Sequence, residues 1–308
     1  MEIAERIKEI KKEKNALILA HYYQSEEVQE VSDFIGDSLQ LAQAAQKAES
    51  DIIVLCGVYF MAETAKILNE NKKVLIPDKY AGCFLADNFS LSTLLKLKKL
   101  YSDHVVVSYI NSSIDVKAES DIICTSSNAI KIIESIPKDK GIIFTPDKNL
   151  GNYLMNITGR KMILADSHCY VHVQFSVDML LDVKERNLDA KIVAHPECEM
   201  PIITLADFVG STSQILNFVS KDSSKKYIVL TEPGILYKMK KQNPDKEFIF
   251  LPPKDLSLGT ENYCRTMKLI TLENLLEALL YEKFEVIIEK ELLEKAKKPI
   301  IKMMELSK

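Results

Sequence analysis

The chain has 308 residues, 47% of them hydrophobic, and 40 Lys and Arg against 44 Asp and Glu give a net charge of −4. That length holds one large domain or about two to three small ones, the apolar content excludes disorder, and the interspersed charges offer no basic face to a nucleic acid. There is no signal-peptide core, no run of roughly 18 apolar residues and no C-x-x-C pair, so the sequence predicts a cytoplasmic protein with no membrane partner and no disulfide framework.

In chain order, MEIAERIKEIKKEKN reads as a charged helix. NALILAHYYQ is a buried strand ending in His21 and Tyr23, SDFIGDSLQLAQAA a polar loop and a helix opened by Ser38, and DIIVLCGVYFMAETAKIL a strand and helix. KKVLIPD is a third strand, and Cys83 follows it. The next stretch repeats the order: HVVVSYINSS ends in Tyr109 and Asn111, SDIICTSSNAIKII carries Ser126, KGIIFTPDKNLGNYL and RKMILAD follow, and Cys169 comes after. The third version runs AKIVAHPECE with His195 and Glu197, ADFVGSTSQILNFV with Thr212, KKYIVLTEPGILYKM and KEFIFLPPKD, with Cys264 further on. A helix-rich charged tail packing a Leu and Ile stripe closes the chain, and no chemistry is assigned to it.

Aligning Asp33, Asp121 and Asp207 brings Ser38, Ser126 and Thr212 into register, and His21, Tyr109 and His195 as well, at a period of 86 to 88 residues. Strands alternating with helices predict an α/β fold of three homologous, small, doubly wound parallel-sheet domains in a pseudo-threefold arrangement around a central site. The expected division is 1–86 with the N-terminal helix, 87–172, 173–264, and a C-terminal helical segment 265–308. Ligands bind beyond the carboxyl ends of parallel strands, so the polar strand tips of all three units belong to one shared site.

A lone cysteine is usually a small buried hydrophobe, and Cys56 and Cys124, inside apolar runs, take that reading. Cys198 has Gln24 and Ser112, not cysteine, at its repeat-equivalent positions. Cys83, Cys169 and Cys264 differ in recurring once per repeat after the same strand. Three converging thiolates fit zinc or one iron–sulfur cluster; a cubane with three protein ligands keeps one iron open as a Lewis acid for removing hydroxyl. Ser38, Ser126 and Thr212 at helix starts suit a phosphate or carboxylates, beyond the ordinary N-cap role of such residues. His21 with Tyr23, Tyr109 with Asn111, and His195 with Glu197 share an i, i+2 spacing, and such groups carry protons in enolisation or imine chemistry. Of five histidines, four (His21, His168, His172 and His195) fall near these loops.

AHYYQ with GDSLQLA, CGV-x-FMAETAKIL, AGC-x-LAD, SYINSS, CTSSNA, C-x-VH, HPEC and MKLITLE, in this order along nearly the whole chain, resemble the quinolinate synthase family. The family's members are iron–sulfur enzymes of de novo NAD biosynthesis that condense iminoaspartate with dihydroxyacetone phosphate to quinolinate, phosphate and water. The resemblance implies a [4Fe-4S] cluster on Cys83, Cys169 and Cys264. It implies substrate contacts from His21, Ser38, Tyr109, Asn111, Ser126, His195, Glu197 and Thr212. Tyr23 and Glu197 are then the acid–base groups, with His21, His195 and the nearby His172 as further catalytic candidates. The imine must come from a separate aspartate-oxidising or dehydrogenating enzyme. Tyr59, where the family carries histidine, and Asp166-Ser167-His168, where it often has an aromatic and a glycine, depart from the pattern. Two other readings use the same residues: a zinc-dependent lyase or aldolase acting on a sugar phosphate, and a non-catalytic iron–sulfur sensor.

Overall fold

A computed structural model describes residues 2–254 and 262–308. The tail of the stretch KEFIFLPPKD, at Asp255, and the rest of 255–261 in the third expected unit lie outside the described residues. Among the described residues the strands form three four-stranded, all-parallel sheets. The first holds β1 (Ala16–His21), β2 (Phe34–Gly36), β3 (Ile52–Cys56) and β4 (Lys73–Leu75); the second holds β5 (Val105–Tyr109), β6 (Ile122–Cys124), β7 (Ile142–Thr145) and β8 (Ile163–Leu164). The third holds β9 (Lys191–Ala194), β10 (Phe208–Val209), β11 (Lys226–Leu230) and β12 (Glu247–Phe250). Each sheet has the same order, β2-β1-β3-β4, β6-β5-β7-β8 and β10-β9-β11-β12. β3, IIVLC, is buried along its whole length, as a parallel strand covered on both faces must be.

The α/β class with three doubly wound sheets agrees with the sequence reading, which saw only three strands per unit. The fourth, β2, β6 or β10, is an edge strand of two or three residues preceded by a short helix (Glu26–Val31, Ile114–Ala118 or Met200–Leu205). So short a strand has no periodicity to display, and at an edge it pairs on one side only.

The three aligned aspartates perform one structural task three times. The carboxylate Oδ2 of Asp33 accepts the N–H of Ile18 at 2.8 Å, and Asp121 and Asp207 accept those of Val106 and Ile192, both at 2.7 Å. Their own N–H groups donate back to the carbonyls of Ile18, Val106 and Ile192 at 2.9, 3.0 and 2.8 Å. Each clamp fixes the entry of the edge strand against the leading strand and satisfies backbone groups that the ladder leaves open.

The tail does more than pack an apolar stripe. Ile76 donates to the carbonyl of Phe284 at 3.2 Å and Val286 to that of Val74 at 2.8 Å, so the chain after the helix Leu272–Tyr281 covers the open edge of β4. The last helix, Lys290–Leu306, buries Leu293, Ala296, Ile300 and Met303 and packs on both Tyr59–Leu68 and Ile114–Ala118, bracing the first sheet's layer against the second's. We keep 1–86, 87–172, 173–264 and 265–308 as the proposed division.

In every sheet the first and third strands are neighbours and the chain winds away from them in opposite directions. That pair is the topological switch point, where a crevice opens beyond the strand ends. The three switch points supply the tips His21 and Tyr23, Tyr109 and Asn111, and His195 and Glu197.

Candidate active site

These tips share one cavity of about 720 Å³. Ser38, Ser126 and Thr212 line it, as do Cys83, Cys169, Cys264 and His172. The candidates named from all three repeats are thus brought to one place. His168 is not brought there; it is exposed, beside Asp166, which pairs on the surface with Lys148 at 2.9 Å. Tyr59 opens a helix, half-buried and outside the lining. Cys198 is fully buried with its thiol 3.4 Å from the Leu230 carbonyl, and Cys56 and Cys124 sit in the core.

The two histidine tips are built alike. Nδ1 of His21 accepts the N–H of Tyr23 at 3.2 Å, and Nδ1 of His195 accepts that of Glu197 at 3.3 Å. Burial lowers the His21 pKa from 6.5 to about 4, against the opposing pull of Asp37. Burial likewise lowers that of His195 to about 3, against the pull of Glu197. Both rings are therefore neutral near pH 7, with Nδ1 occupied as an acceptor and the proton on Nε2, a donor.

A buried line of polar side chains crosses the cavity wall. Tyr109 Oη donates to Glu197 Oε1 at 2.5 Å, and Nδ1 of His172 lies 2.8 Å from Glu197 Oε2. His172 Nε2 is 3.0 Å from Thr231 Oγ1, Thr231 Oγ1 is 2.6 Å from Tyr23 Oη, and Thr212 Oγ1 donates to Tyr23 Oη at 3.0 Å. The rings of His172 and His195 stack with centroids 4.6 Å apart. Burial works to raise the Glu197 pKa, but His172, His195 and the Tyr109 hydrogen bond hold it below its ordinary value, so it stays ionised. Burial pushes both phenols, Tyr23 and Tyr109, well above theirs, so they stay protonated. Asn111 Oδ1 is buried with no partner among the described residues, an acceptor open to a ligand.

The helix starts differ from expectation in a useful way. Ser38 and Thr212 are the first helical residues, while the caps are Asp37 and Ser211, each in a capping box with Gln40 or Gln214. Ser38 and Thr212 are thereby spared capping. Ser126 departs further: it lies in a turn, and its helix begins at Ala129 after Asn128. Asp37 ties the three starts together. Its Oδ2 accepts from Ser127 at 2.6 Å and from Ser213 at 2.5 Å, and Ser127 Oγ is 2.8 Å from Ser211 Oγ.

Residues 5–305 match the family model described as quinolinate synthetase A protein. The chain belongs to that family. It is 48% identical over 306 residues to a quinolinate synthase of Prosthecochloris aestuarii, covering 99% of this chain and 94% of that one. It is 48% identical over 301 residues to one from Synechocystis (98% and 94%) and 47% identical over 308 residues to one from Chloroherpeton thalassium (100% and 95%). The chain is accordingly an enzyme of the quinolinate synthase family. No helix among its described residues is long and apolar enough to cross a membrane.

The donor set suits the metal cluster that the family implies. Cys83, Cys169 and Cys264 are half-buried and unpaired, whereas the other three cysteines are fully buried. Burial raises the pKa of all three, and Cys83 and Cys169 are raised further by the neighbouring thiols Cys264 and Cys83, respectively. Thiolates that repel one another need a cationic centre among them before they give up their protons. Zinc held through Zn–S bonds of about 2.3 Å would draw its sulfurs to roughly 3.8 Å of each other. Among the described residues, the group whose ligand atoms all approach within 4.8 Å is instead Cys169, His172 and Glu197. The three thiols do not form such a group, so at least one pair of them lies farther apart than 4.8 Å.

Two carboxylates that the sequence reading passed over support two of these cysteines. Asp147 lies two residues past β7, caps the next helix through Leu150 N–H at 2.7 Å, and accepts the N–H of Cys169 at 3.1 Å. Glu232, two residues past β11, accepts the N–H of Cys264 at 3.3 Å and of Gly234 at 2.6 Å, and pairs with Lys268 at 3.2 Å. Gly234 is required where it stands, because a Cβ there would meet the Tyr23 carbonyl oxygen at 2.5 Å. The first repeat has Val58 at the matching position.

Proposed function

We propose that this chain condenses iminoaspartate with dihydroxyacetone phosphate to give quinolinate, phosphate and water. The observation that carries this reading is the meeting, on one cavity, of three half-buried thiols, the hydroxyls of Ser38, Ser126 and Thr212, and an ionised carboxylate hydrogen-bonded to a phenol. Cys83, Cys169 and Cys264 would hold a [4Fe-4S] cluster, which bound through three thiolates supplies an open iron as Lewis acid for losing a hydroxyl.

The chain's own residues supply the rest. Ser38 and Ser126 offer their hydroxyls to the phosphate of the triose, and Thr212, whose hydroxyl is turned to Tyr23, offers its backbone N–H, as does Ser38, at the start of its helix. His21 and His195 point Nε2–H donors at carboxylate oxygens of the imine, and Asn111 accepts from an N–H or hydroxyl. Tyr109, bonded to Glu197, borders the same space. Tyr23 and Glu197 move the protons that carbon–carbon bonding, ring closure and dehydration require, with His172 between them. Because these groups are buried, water is kept from the reactive imine. The cytoplasm as compartment and an aspartate-oxidising or dehydrogenating enzyme as source of the imine belong to the same reading.

The test is an oxygen-free assay for quinolinate from the two substrates, with metal and sulfide analysis of the same sample. Quinolinate formation with iron and sulfide present is expected; no product from protein with an intact cluster would sink the proposal. A second reading, a single divalent ion on Cys169, His172 and Glu197 in a zinc lyase or aldolase, has their 4.8 Å grouping in its favour. One zinc without sulfide would establish it instead. The sensor reading has no use for the buried chain of proton carriers, and turnover of any kind removes it.

A further inference from the structure

We propose that Lys117 is a positioning residue of this reaction, its buried ammonium holding the tip of β5 against the first repeat so that Asn111 faces the cavity. The inference rests on the reading of Asn111 as a substrate contact.

The three strand tips are closed by different means. In the first and third repeats the N–H groups of Gln24 and Cys198 donate to the carbonyls of His21 and His195, both at 3.0 Å, and each histidine Nδ1 accepts the N–H two residues on. The second repeat has Tyr109 where the others have histidine, so no imidazole is there to accept the N–H of Asn111. The N–H of Ser112 turns instead to the Ile110 carbonyl at 2.8 Å, and it is the Ser112 hydroxyl that reaches the Tyr109 carbonyl, at 2.9 Å. The tip that carries Asn111 therefore lacks both backbone closures of its counterparts.

Lys117 supplies what is missing. It is fully buried outside the cavity lining, and its Nζ donates to the Ser112 carbonyl and lies 5.1 Å from the centre of the Phe60 ring, which belongs to the first repeat and lines the cavity. Burial opposes its charge, while the Phe60 ring face and the carboxylate of Glu63, one turn along the same helix, favour it. The other tips carry counterparts of this brace. Gln29, Lys117 and Ile203 stand four residues before Asp33, Asp121 and Asp207. Gln29 Nε2 donates to the carbonyl of Gln24, the counterpart of Ser112, at 2.9 Å, and to that of Gly234 in the third repeat at 3.0 Å. Gly234 follows β11 by four residues, as Phe60 follows β3. Ile203 has no donor, and there the tie comes from the opposite side: Asn149, four residues past β7, donates Nδ2 to the Glu197 carbonyl at 3.2 Å. Each tip is thus tied to a neighbouring repeat, and the second, without a histidine lock, is tied by a cation.

Lys117→Met removes the ammonium and keeps an unbranched apolar side chain, while Lys117→Gln installs the donor of the first repeat. In anaerobically reconstituted holoenzyme, Lys117→Met is expected to lower kcat/KM by about tenfold with cluster absorbance unchanged, and Lys117→Gln to stay within about threefold of wild type. Added to Asn111→Ala, Lys117→Met should cost less than about a further twofold, because the group it positions is already gone. Wild-type kcat/KM in Lys117→Met, an equal fall in Lys117→Gln, or the full loss repeated in the Asn111→Ala background overturns the proposal. Amide hydrogen exchange of the apoprotein reads the tip without turnover: Lys117→Met should speed exchange at Ser112 by about tenfold or more and leave Gln24 and Cys198 as in wild type. Equal acceleration at all three, or none at Ser112, counts against the brace as decisively. If methionine prevents folding, Lys117→Gln carries the exchange measurement; wild-type protection at Ser112 is expected, and its loss defeats the inference. A wild-type holoenzyme that makes no quinolinate defeats the function, and the exchange pattern then still decides the placement of Lys117.

Discussion

The first and third repeats end their leading strands with the same histidine and with different partners. His21 and His195 each accept the N–H two residues on, and Asp33 and Asp207 clamp the strands beneath them in matching geometry. Yet the next outward-facing residue is Tyr23, a phenol kept protonated by burial, in one case, and Glu197, a carboxylate kept ionised by its neighbours, in the other. The backbone device is copied and the proton chemistry is not. Two identical tips would offer two acids or two bases; unlike tips put a neutral phenol and a charged acceptor at opposite ends of one buried line of polar side chains.

The contrast between copied scaffold and divergent chemistry is broken most severely at the cysteines. Replacing Cys83, Cys169 or Cys264 by alanine is expected to abolish cluster absorbance and quinolinate formation. Cys56→Ala, in the buried β3, is expected to retain both and lose about 1 kcal/mol of stability by urea unfolding. Loss of the cluster in Cys56→Ala alone would reverse the assignment.

The histidine tips are next. The unfolded chain protonates His21 near pH 6.5 while the folded one holds out to about 4, so the neutral ring's contribution to stability is complete above pH 6.5 and is lost as pH falls towards 4. At about 1.4 kcal/mol per pH unit, that loss is on the order of 3 kcal/mol, and His21→Asn in the apoprotein should flatten the decline of urea midpoint between pH 6.5 and 4.5. An unchanged slope would mean that His21 is protonated in the fold.

The smallest effect concerns the scaffold. Asp33→Ala, Asp121→Ala and Asp207→Ala should each cost about 1 kcal/mol and leave kcat alone. Unequal costs, or a fall in kcat at one of them, would show that the clamps have diverged as the tips have.

Much of this was legible from residue pattern because the repeat marks its own important positions. Asp33, Asp121 and Asp207 stood out as fixed points of the alignment, although only the hydrogen bonds reveal that they hold strand edges. The cysteines and strand tips were found through recurrence. What escaped notice recurs only in part: Asp147 and Glu232 occupy matching places after the third strands, and Val58 stands at that place in the first repeat. Thr231, beside them in T-E-P-G, looks like an ordinary turn residue until the fold brings Tyr23 and His172 to its two sides. A signal was available for the caps, since GDSLQ and GSTSQ both carry a cap residue three before glutamine, pointing to Asp37 and Ser211 in place of Ser38 and Thr212.

The knot of Asp37 with Ser127, Ser211 and Ser213 bears on why the three repeats share one polypeptide. An assembly of three identical subunits would place the same side chain three times around that junction. Three carboxylates there would repel, and three hydroxyls would offer no charged acceptor to gather the donors. A single chain leaves the matching positions free to differ as Asp37, Thr125 and Ser211, so that one carboxylate gathers the hydroxyls of Ser127, Ser211 and Ser213 while Thr125 turns to Asn128. Broken symmetry at the junction thus allows a threefold-like shell to enclose a reaction that has no symmetry of its own.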